Sequence, residues 1–330
     1  MKIPPLYVLF LLPTFLFADP AALSRDNLAA NPDARVIEGA DGWLFLANEL
    51  RHVAKGTEWV APETPPEPAH ADPLPALIAL REQLAEMNIE LIIMPVPAKA
   101  VVHADALPGY APSDAAPPPS GMAAFLAHLQ DEGFNVINLE TIYAETKSEE
   151  QVYCKTDSHW SPRGVEIAAK AVADLLKAQD WYETAAQTEI QLAEPTDLRI
   201  RGDLAEGGGY TETLPWRQVT RADGEALVSE TAPVLILGDS HTLVFGDGGD
   251  MHANSGGFSE HLAYQLQQPV DRMANRGSAS TPPRLTLFRK AAAQPEWLEG
   301  KRAIVYTFTA RELTESLNGW RVVPIAPRFR

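Results

Sequence analysis

The sequence predicts an α/β sandwich with a mostly parallel central sheet. Three observations lead there. Apolar runs at 89–96, 234–237 and 303–309 read as buried strands. Segments of helical spacing lie between them, so strands alternate with helices from about residue 74 to 309. Chemistry-bearing residue types stand just after such runs, where open parallel sheets place their sites.

The elements follow in order. Met1-Lys2 is a short positive start, Pro4 to Phe17 carries no charge, and Ala18-Asp19-Pro20 comes next. This is the pattern of a secretory signal cleaved after Ala18. Leu16 is a poor small residue for cleavage, so an uncleaved membrane anchor over 4–17 is the alternative, although a span needs about 20 residues. Either way the rest of the chain is exported, in a bacterium to the periplasm. Residues 19–35 are polar and read as a linker, and 36–330 as one domain. Asp41-Gly42 between two apolar runs predicts a hairpin. Leu74, Leu77, Ile78 and Leu84 recur at helical spacing. Ile89 to Val96 is a strand, residues 108–120 a proline-rich excursion, Met122 to Gln130 a helix and Asn135 to Leu139 a strand. Ser161-Pro162 is a helix start, with serine as cap and proline in the first turn. Residues 181–232 are polar and irregular. A Gly-rich loop, 246–257, precedes a helix around 258–267, a short strand to Ala274, a helix over Leu285 to Ala293 and the last strand, Ala303 to Thr309.

Composition narrows the function. Apolar residues make up 45% and charged residues 22% of 330, an ordinary globular balance that allows a sizeable core. A net charge of -17 argues against nucleic acid, because no excess of Lys and Arg is available to neutralise phosphates. The same charge would repel a polyanion at long range. The single cysteine, Cys154, rules out an intramolecular disulfide, and no Cys/His cluster has zinc spacing. Neither a metal nor a cofactor is called for.

Two stretches carry chemistry: Asp157-Ser158-His159-Trp160 and Gly238-Asp239-Ser240-His241. Ser240, at the end of a buried strand, is the candidate nucleophile, since its hydroxyl can point into a cleft once a base lies within reach. His159 is the candidate base and Asp157 its orienter. The bland reading makes each an ordinary loop residue. The developing oxyanion would need donors: Ser240's own N–H, the N–H of Gly277 in Asn275-Arg276-Gly277, and the Arg311 side chain after the last strand. Trp160, Trp43 and Trp216 have flat faces that suit sugar rings, although core or rim packing is the more common role of such residues. His241 reads as a wall of the cleft. His103 and His252 show no partner signal.

These residues resemble the SGNH hydrolase superfamily. More narrowly, the chain resembles the AlgJ/AlgX-type alginate O-acetyltransferases of bacterial exopolysaccharide systems. The match rests on Gly39-Ala40-Asp41-Gly42-Trp43-Leu44-Phe45-Leu46, Pro95-Val96-Pro97-Ala98-Lys99, Asp157-Ser158-His159-Trp160-Ser161, Gly202-Asp203-Leu204 and Gly238-Asp239-Ser240, in that order. Ordinary SGNH hydrolases place the serine first and the Asp-x-x-His last. Here the order is reversed, which supports the narrower match.

The resemblance implies an SGNH-like three-layer sandwich with permuted motif order, Ser240, His159 and Asp157 as triad, and Gly277 as oxyanion glycine. The superfamily's Asn block is not evident, and Thr309-Ala310-Arg311-Glu312 stands near its place. The short stretch after the last strand suggests an AlgJ-like layout without an added carbohydrate-binding domain. The resemblance further implies an acetyl donor, an exopolysaccharide acceptor, and membrane-bound O-acyltransferase and other polysaccharide-synthesis partners. An acetylesterase and a non-catalytic scaffold of an export complex are the alternatives.

Overall fold

The computed structural model describes residues 19–112, 118–147, 150–183, 187–205 and 209–325. The expected export signal, 1–18, lies outside the described residues. No helix among the described residues is long and apolar enough to cross a membrane.

The stretch read as a linker opens instead with helix α1 (Pro20–Ala30). Asp19 caps it by accepting the Ala21 N–H (2.9 Å), and Pro20 occupies the first turn. Its buried residues are Pro20, Ser24 and Asn27 rather than an apolar stripe, which is why periodicity missed it. Buried Asn27 donates to the carbonyl of Pro108 (2.9 Å) and so docks the helix on the body. The expected hairpin forms from β1 (Val36–Glu38) and β2 (Leu44–Leu46), paired antiparallel. Helices α2 (Ala47–Ala54) and α3 (Leu74–Ala85) lead to strand β3 (Glu90–Val96), followed by the short α4 (Lys99–Val102) and α5 (Gly121–Asp131). The strand expected over 135–139 is shorter: β4 is Asn135–Val136 alone. Asn138 then accepts the N–H groups of Glu140 and Thr141 and starts α6 (Leu139–Thr146), so Leu139 belongs to a helix. Ser161 and Pro162 start α7 (Pro162–Lys177) as expected, with the serine hydroxyl accepting the Gly164 N–H (3.1 Å).

The irregular region holds α8 (Asp180–Glu183) and two small antiparallel ribbons. Strand β5 (Ile190–Leu192) pairs with β8 (Val219–Arg221), and β6 (Thr196–Ile200) with β7 (Glu212–Trp216). Strand β9 (Val234–Gly238), α9 (Phe258–Leu266), β10 (Asp271–Ala274), α10 (Thr281–Ala293), α11 (Pro295–Glu299), β11 (Ala303–Thr309) and α12 (Glu312–Glu315) complete the chain.

The central sheet runs β10-β9-β11-β3-β4, every neighbouring pair parallel. The continuous apolar runs have a plain cause: their strands are buried on both faces. Ile92, Met94, Val96, Val234, Ile236 and Val305 face a layer built with α7 and α9. Leu91, Ile93, Leu235, Leu237, Ile304 and Tyr306 face the opposite layer, built with α3, α5 and α10. The register sets Tyr306 of β11 beside Leu237 and Ile93; β11 and β3 end level at Thr309 and Val96, and β9 ends two residues earlier at Gly238. The site forms at that carboxyl edge.

Candidate active site

Ser240 lies two residues beyond Gly238, the last residue of β9, and opens a 3-10 turn, Ser240–Thr242. Asp239 fixes that turn. Its Oδ1 accepts the His241 N–H (2.9 Å) and its Oδ2 accepts the Thr309 N–H at the end of β11 (2.9 Å). Ser240 is thereby tied to two adjacent strand ends.

The acid–base loop is tied down separately. Lys99 is fully buried, and its ammonium donates to the carbonyls of Leu44 (2.8 Å), Cys154 (2.9 Å) and Asp157 (2.6 Å). The Lys155 carbonyl lies further out at 3.5 Å, so the acceptors exceed the two N–H bonds of a neutral amine and favour the ammonium, against the burial that lowers its pKa. Glu212 accepts the backbone N–H groups of Lys155 (2.9 Å) and Thr156 (2.7 Å) and the Thr156 hydroxyl (2.8 Å). Gly202 passes so close to the loop that a Cβ there would lie 2.0 Å from the Thr156 carbonyl oxygen. That approach lets Asp203 accept both the N–H (2.6 Å) and the hydroxyl (2.7 Å) of Ser158.

Between these anchors the three candidate residues meet. His159 Nδ1 lies 2.5 Å from Asp157 Oδ1, and His159 Nε2 lies 2.8 Å from Ser240 Oγ. A carboxylate only accepts, so Nδ1 carries the proton and Nε2 is free to take the serine's. Asp157 accepts three further bonds: the His159 N–H at Oδ1 (2.9 Å), and the Asp203 N–H (3.0 Å) and His252 Nε2 (2.8 Å) at Oδ2. Burial alone would raise its pKa. His159 and His252 outweigh this by charge and hydrogen bonding, and the carboxyl sits well below the usual range. Burial likewise pulls His159 down, yet Asp157, then Asp203 and Asp239, lift it above the ordinary imidazole value.

The triad opens on a cleft of about 490 Å³ lined by Arg201, Asp203, Met251, His252, Arg276 and Gly277, among others. Gly277 has φ +79°, the left-handed region, while a Cβ there would touch nothing within 4 Å. The backbone conformation and not space demands glycine. Neither the Ser240 nor the Gly277 backbone N–H is used by another group among the described residues, so both are available to an oxyanion.

Other expectations need correction. Trp160 is fully buried. Its ring packs on Phe258 (5.5 Å) and its Nε1 donates to the His241 carbonyl (3.1 Å), so it joins the two motif segments and offers no face to a sugar. Trp43 is also inside, stacked on His103 (4.2 Å), and neither Trp43 nor Trp216 lines the cleft. Arg311 does not line it either. It donates to the Thr309 hydroxyl (3.0 Å), and its charge bears on buried Glu49 and His52. His241 is no cleft wall: it is buried, bonds Asp239 (3.2 Å) and lies under the His159 ring (4.6 Å). His252, which showed no partner signal, bonds the candidate Asp157 directly. The one hint available was its place in the Gly-rich loop after the serine. Asp157, His159 and Asp203 offer atoms within 4.8 Å of one another, as a metal site would, but the hydrogen bonds above already engage those atoms.

The family model described as "SGNH hydrolase-like domain, acetyltransferase AlgX" matches residues 36–298. A probable alginate O-acetylase AlgJ of Pseudomonas putida is 28% identical over 228 residues, covering 64% of this chain and 51% of that protein. The alginate biosynthesis protein AlgX of Pseudomonas aeruginosa is 26% identical over 161 residues, 47% of this chain and 31% of that protein. The chain thus spans half or less of the length of the curated relatives it matches, 51% and 31% of these two. Among solved structures, the O-acetyltransferase domain of P. putida AlgJ superposes with a TM-score of 0.63 at 21% identity, covering 84% of this chain and 92% of that one. P. aeruginosa AlgX gives 0.56 at 17% identity, over 85% and 67%. These likenesses establish the fold.

Proposed function

The chain belongs to the family of SGNH hydrolase-like, AlgX-type acetyltransferase domains, and from that premise we propose that it moves acetyl groups onto hydroxyls of a bacterial exopolysaccharide through an acetyl-serine. The observation that carries this is the unbroken line Asp157 Oδ1–His159–Ser240 Oγ. As Ser240 Oγ attacks the acetyl carbon, His159 Nε2 takes its proton. The oxyanion is held by the N–H groups of Ser240 and Gly277. Collapse expels the donor's oxygen or sulfur, which leaves with the proton from His159. A sugar hydroxyl then attacks the acetyl-serine. His159 takes the hydroxyl's proton and returns it to Ser240 Oγ as the ester passes to the sugar.

The cleft edge offers an anionic polymer two guanidinium groups, set against the net charge of -17 and the cleft carboxylates of Asp157, Asp203 and Asp250. Arg201 and Arg276 edge the cleft. Arg276 pairs with Asp250 at 2.6 Å, with side chains 52% and 69% exposed. Both groups stand in solvent, which screens such a pair, so a uronate carboxylate can exchange for Asp250 at little cost. The setting we propose is the periplasm, reached by an export signal over 1–18, with a membrane-bound O-acyltransferase supplying the acetyl group.

Mass spectrometry after mixing the protein with an activated acetyl ester tests the reading. One acetyl group should appear on Ser240 and move to an added uronate oligomer. An adduct on another residue defeats the triad assignment. Release as free acetate in the presence of oligomer makes the protein an esterase.

A further inference from the structure

The triad uses one oxygen of Asp157, and the second is held as firmly. Oδ2 accepts the Asp203 N–H (3.0 Å) and His252 Nε2 (2.8 Å). His252 comes from the loop after the serine, and its ring is packed near Phe245 (5.8 Å) with the side chain 10% exposed. The backbone that delivers it is unusual. His252 has φ 70° and ψ -57°, and the Ala253 N–H donates to the Met251 carbonyl (2.9 Å) across it. This is a γ-turn of the rare, strained hand. Two positive-φ glycines, Gly248 and Gly249, lead into it. Strain of this kind persists where the surrounding structure fixes it, and it gathers at functional sites.

A carboxylate offers no proton, so His252 Nε2 must be the donor. The donating atom is the opposite one from that in His159, which gives Asp157 its Nδ1 proton. We infer that His252 is a positioning residue of the acyl transfer. Its Nε2–H holds Oδ2 and so fixes the carboxylate plane, turning Oδ1 squarely to His159. The bond also spans the two halves of the site, because His252 lies twelve residues after Ser240 in the serine-bearing segment while Asp157 sits on the acid–base loop. The inference rests on the acetyl-serine reading above.

Two substitutions separate the donor from the packing. His252→Phe keeps a ring and the same backbone demand but removes the N–H, whereas His252→Gln keeps an N–H near the position of Nε2. We expect kcat/KM for acetyl-serine formation to fall about 10-fold or more in His252→Phe, as loss of an outer-shell partner does elsewhere. KM should hold, and His252→Gln should recover most of the loss. In an Asp157→Asn background His252→Phe should add less than about twofold, because residues acting as one unit are not additive. Equal losses in the Phe and Gln variants, or full additivity with Asp157→Asn, overturn the proposal. If His252→Phe does not fold, ¹⁵N NMR of the unaltered protein decides: Nε2 protonated is the expected state, and a bare Nε2 overturns it. Ser240→Ala in the same assay keeps the two readings apart. Unchanged activity in Ser240→Ala defeats the acetyl-serine reading, while loss there with none in His252→Phe defeats this inference alone.

Discussion

The chain contains the tripeptide Asp-Ser-His twice, at 157–159 and at 239–241, and the two copies meet at the site. Locally they are alike. In each, the histidine's backbone N–H donates to the aspartate Oδ1 at 2.9 Å, and its Nδ1 turns to the same oxygen. What differs is the surroundings. Ser158 gives its hydroxyl to Asp203, while Ser240 gives its own to His159. His159 faces the cleft and is pushed up by Asp157, Asp203 and Asp239 against burial. His241 is buried and pulled down, first by desolvation, with His159 and Arg311 adding to it against Asp239. A motif thus fixes a clasp, and the third group that reaches the clasp fixes its chemistry.

The serines give the sharpest contrast. Ser240→Ala should lower kcat by about 10⁴-fold or more, as loss of a triad nucleophile does, whereas Ser158→Ala should stay within about tenfold, since one hydrogen bond is worth about 1 kcal/mol. Steady-state kinetics on both variants, at matched folding, would undo the comparison if the ranking reversed.

The aspartates should separate activity from stability. Asp157→Asn should cost up to about 10⁴ in kcat by disturbing the His159 tautomer. Asp239→Asn should instead cost about 2–3 kcal/mol of stability, because it leaves buried N–H groups with a weaker acceptor. Burial raises the Asp239 carboxyl, but His241 and the N–H of Thr309 more than offset this, and its folded pKa lies far below the unfolded one. Its contribution is therefore full above about pH 4 and fades as pH falls further. Urea melts at pH 7 and pH 3 should show the Asp239→Asn deficit shrinking at the lower pH. A deficit that grows on acidification would contradict the assignment.

The smallest effect is on the pH profile. His159 must be neutral to take the serine's proton, and its pKa is raised. The acid limb of kcat/KM should accordingly lie above about pH 6.5, the ordinary imidazole value. A limb at or below that value would mean that Asp157 does not charge-stabilise His159.

Much of this was legible in the sequence, for reasons the structure makes plain. The strands β3, β9 and β11 were visible because burial on both faces leaves continuous apolar runs. The hydrogen-bonded line of Asp157, His159 and Ser240 was visible because each member sits beside a recognisable turn. Helix α1 was not, because it docks through Ser24 and Asn27. Trp160 and Arg311 depart from expectation because composition does not tell which way a side chain turns: one is a strut, the other bonds the Thr309 hydroxyl. His252 was silent because its role depends on a γ-turn that no propensity scale registers.

Lys99 has one consequence for the surroundings in which the site can work. Secreted proteins commonly fix such loops with disulfides, whose survival depends on the redox state outside the cell. Here an ammonium gathers three carbonyl oxygens, and the lone cysteine contributes to that staple its carbonyl and not its sulfur. Oxidants, reductants and thiol reagents that cannot reach buried Cys154 therefore leave the geometry of the acid–base loop unchanged.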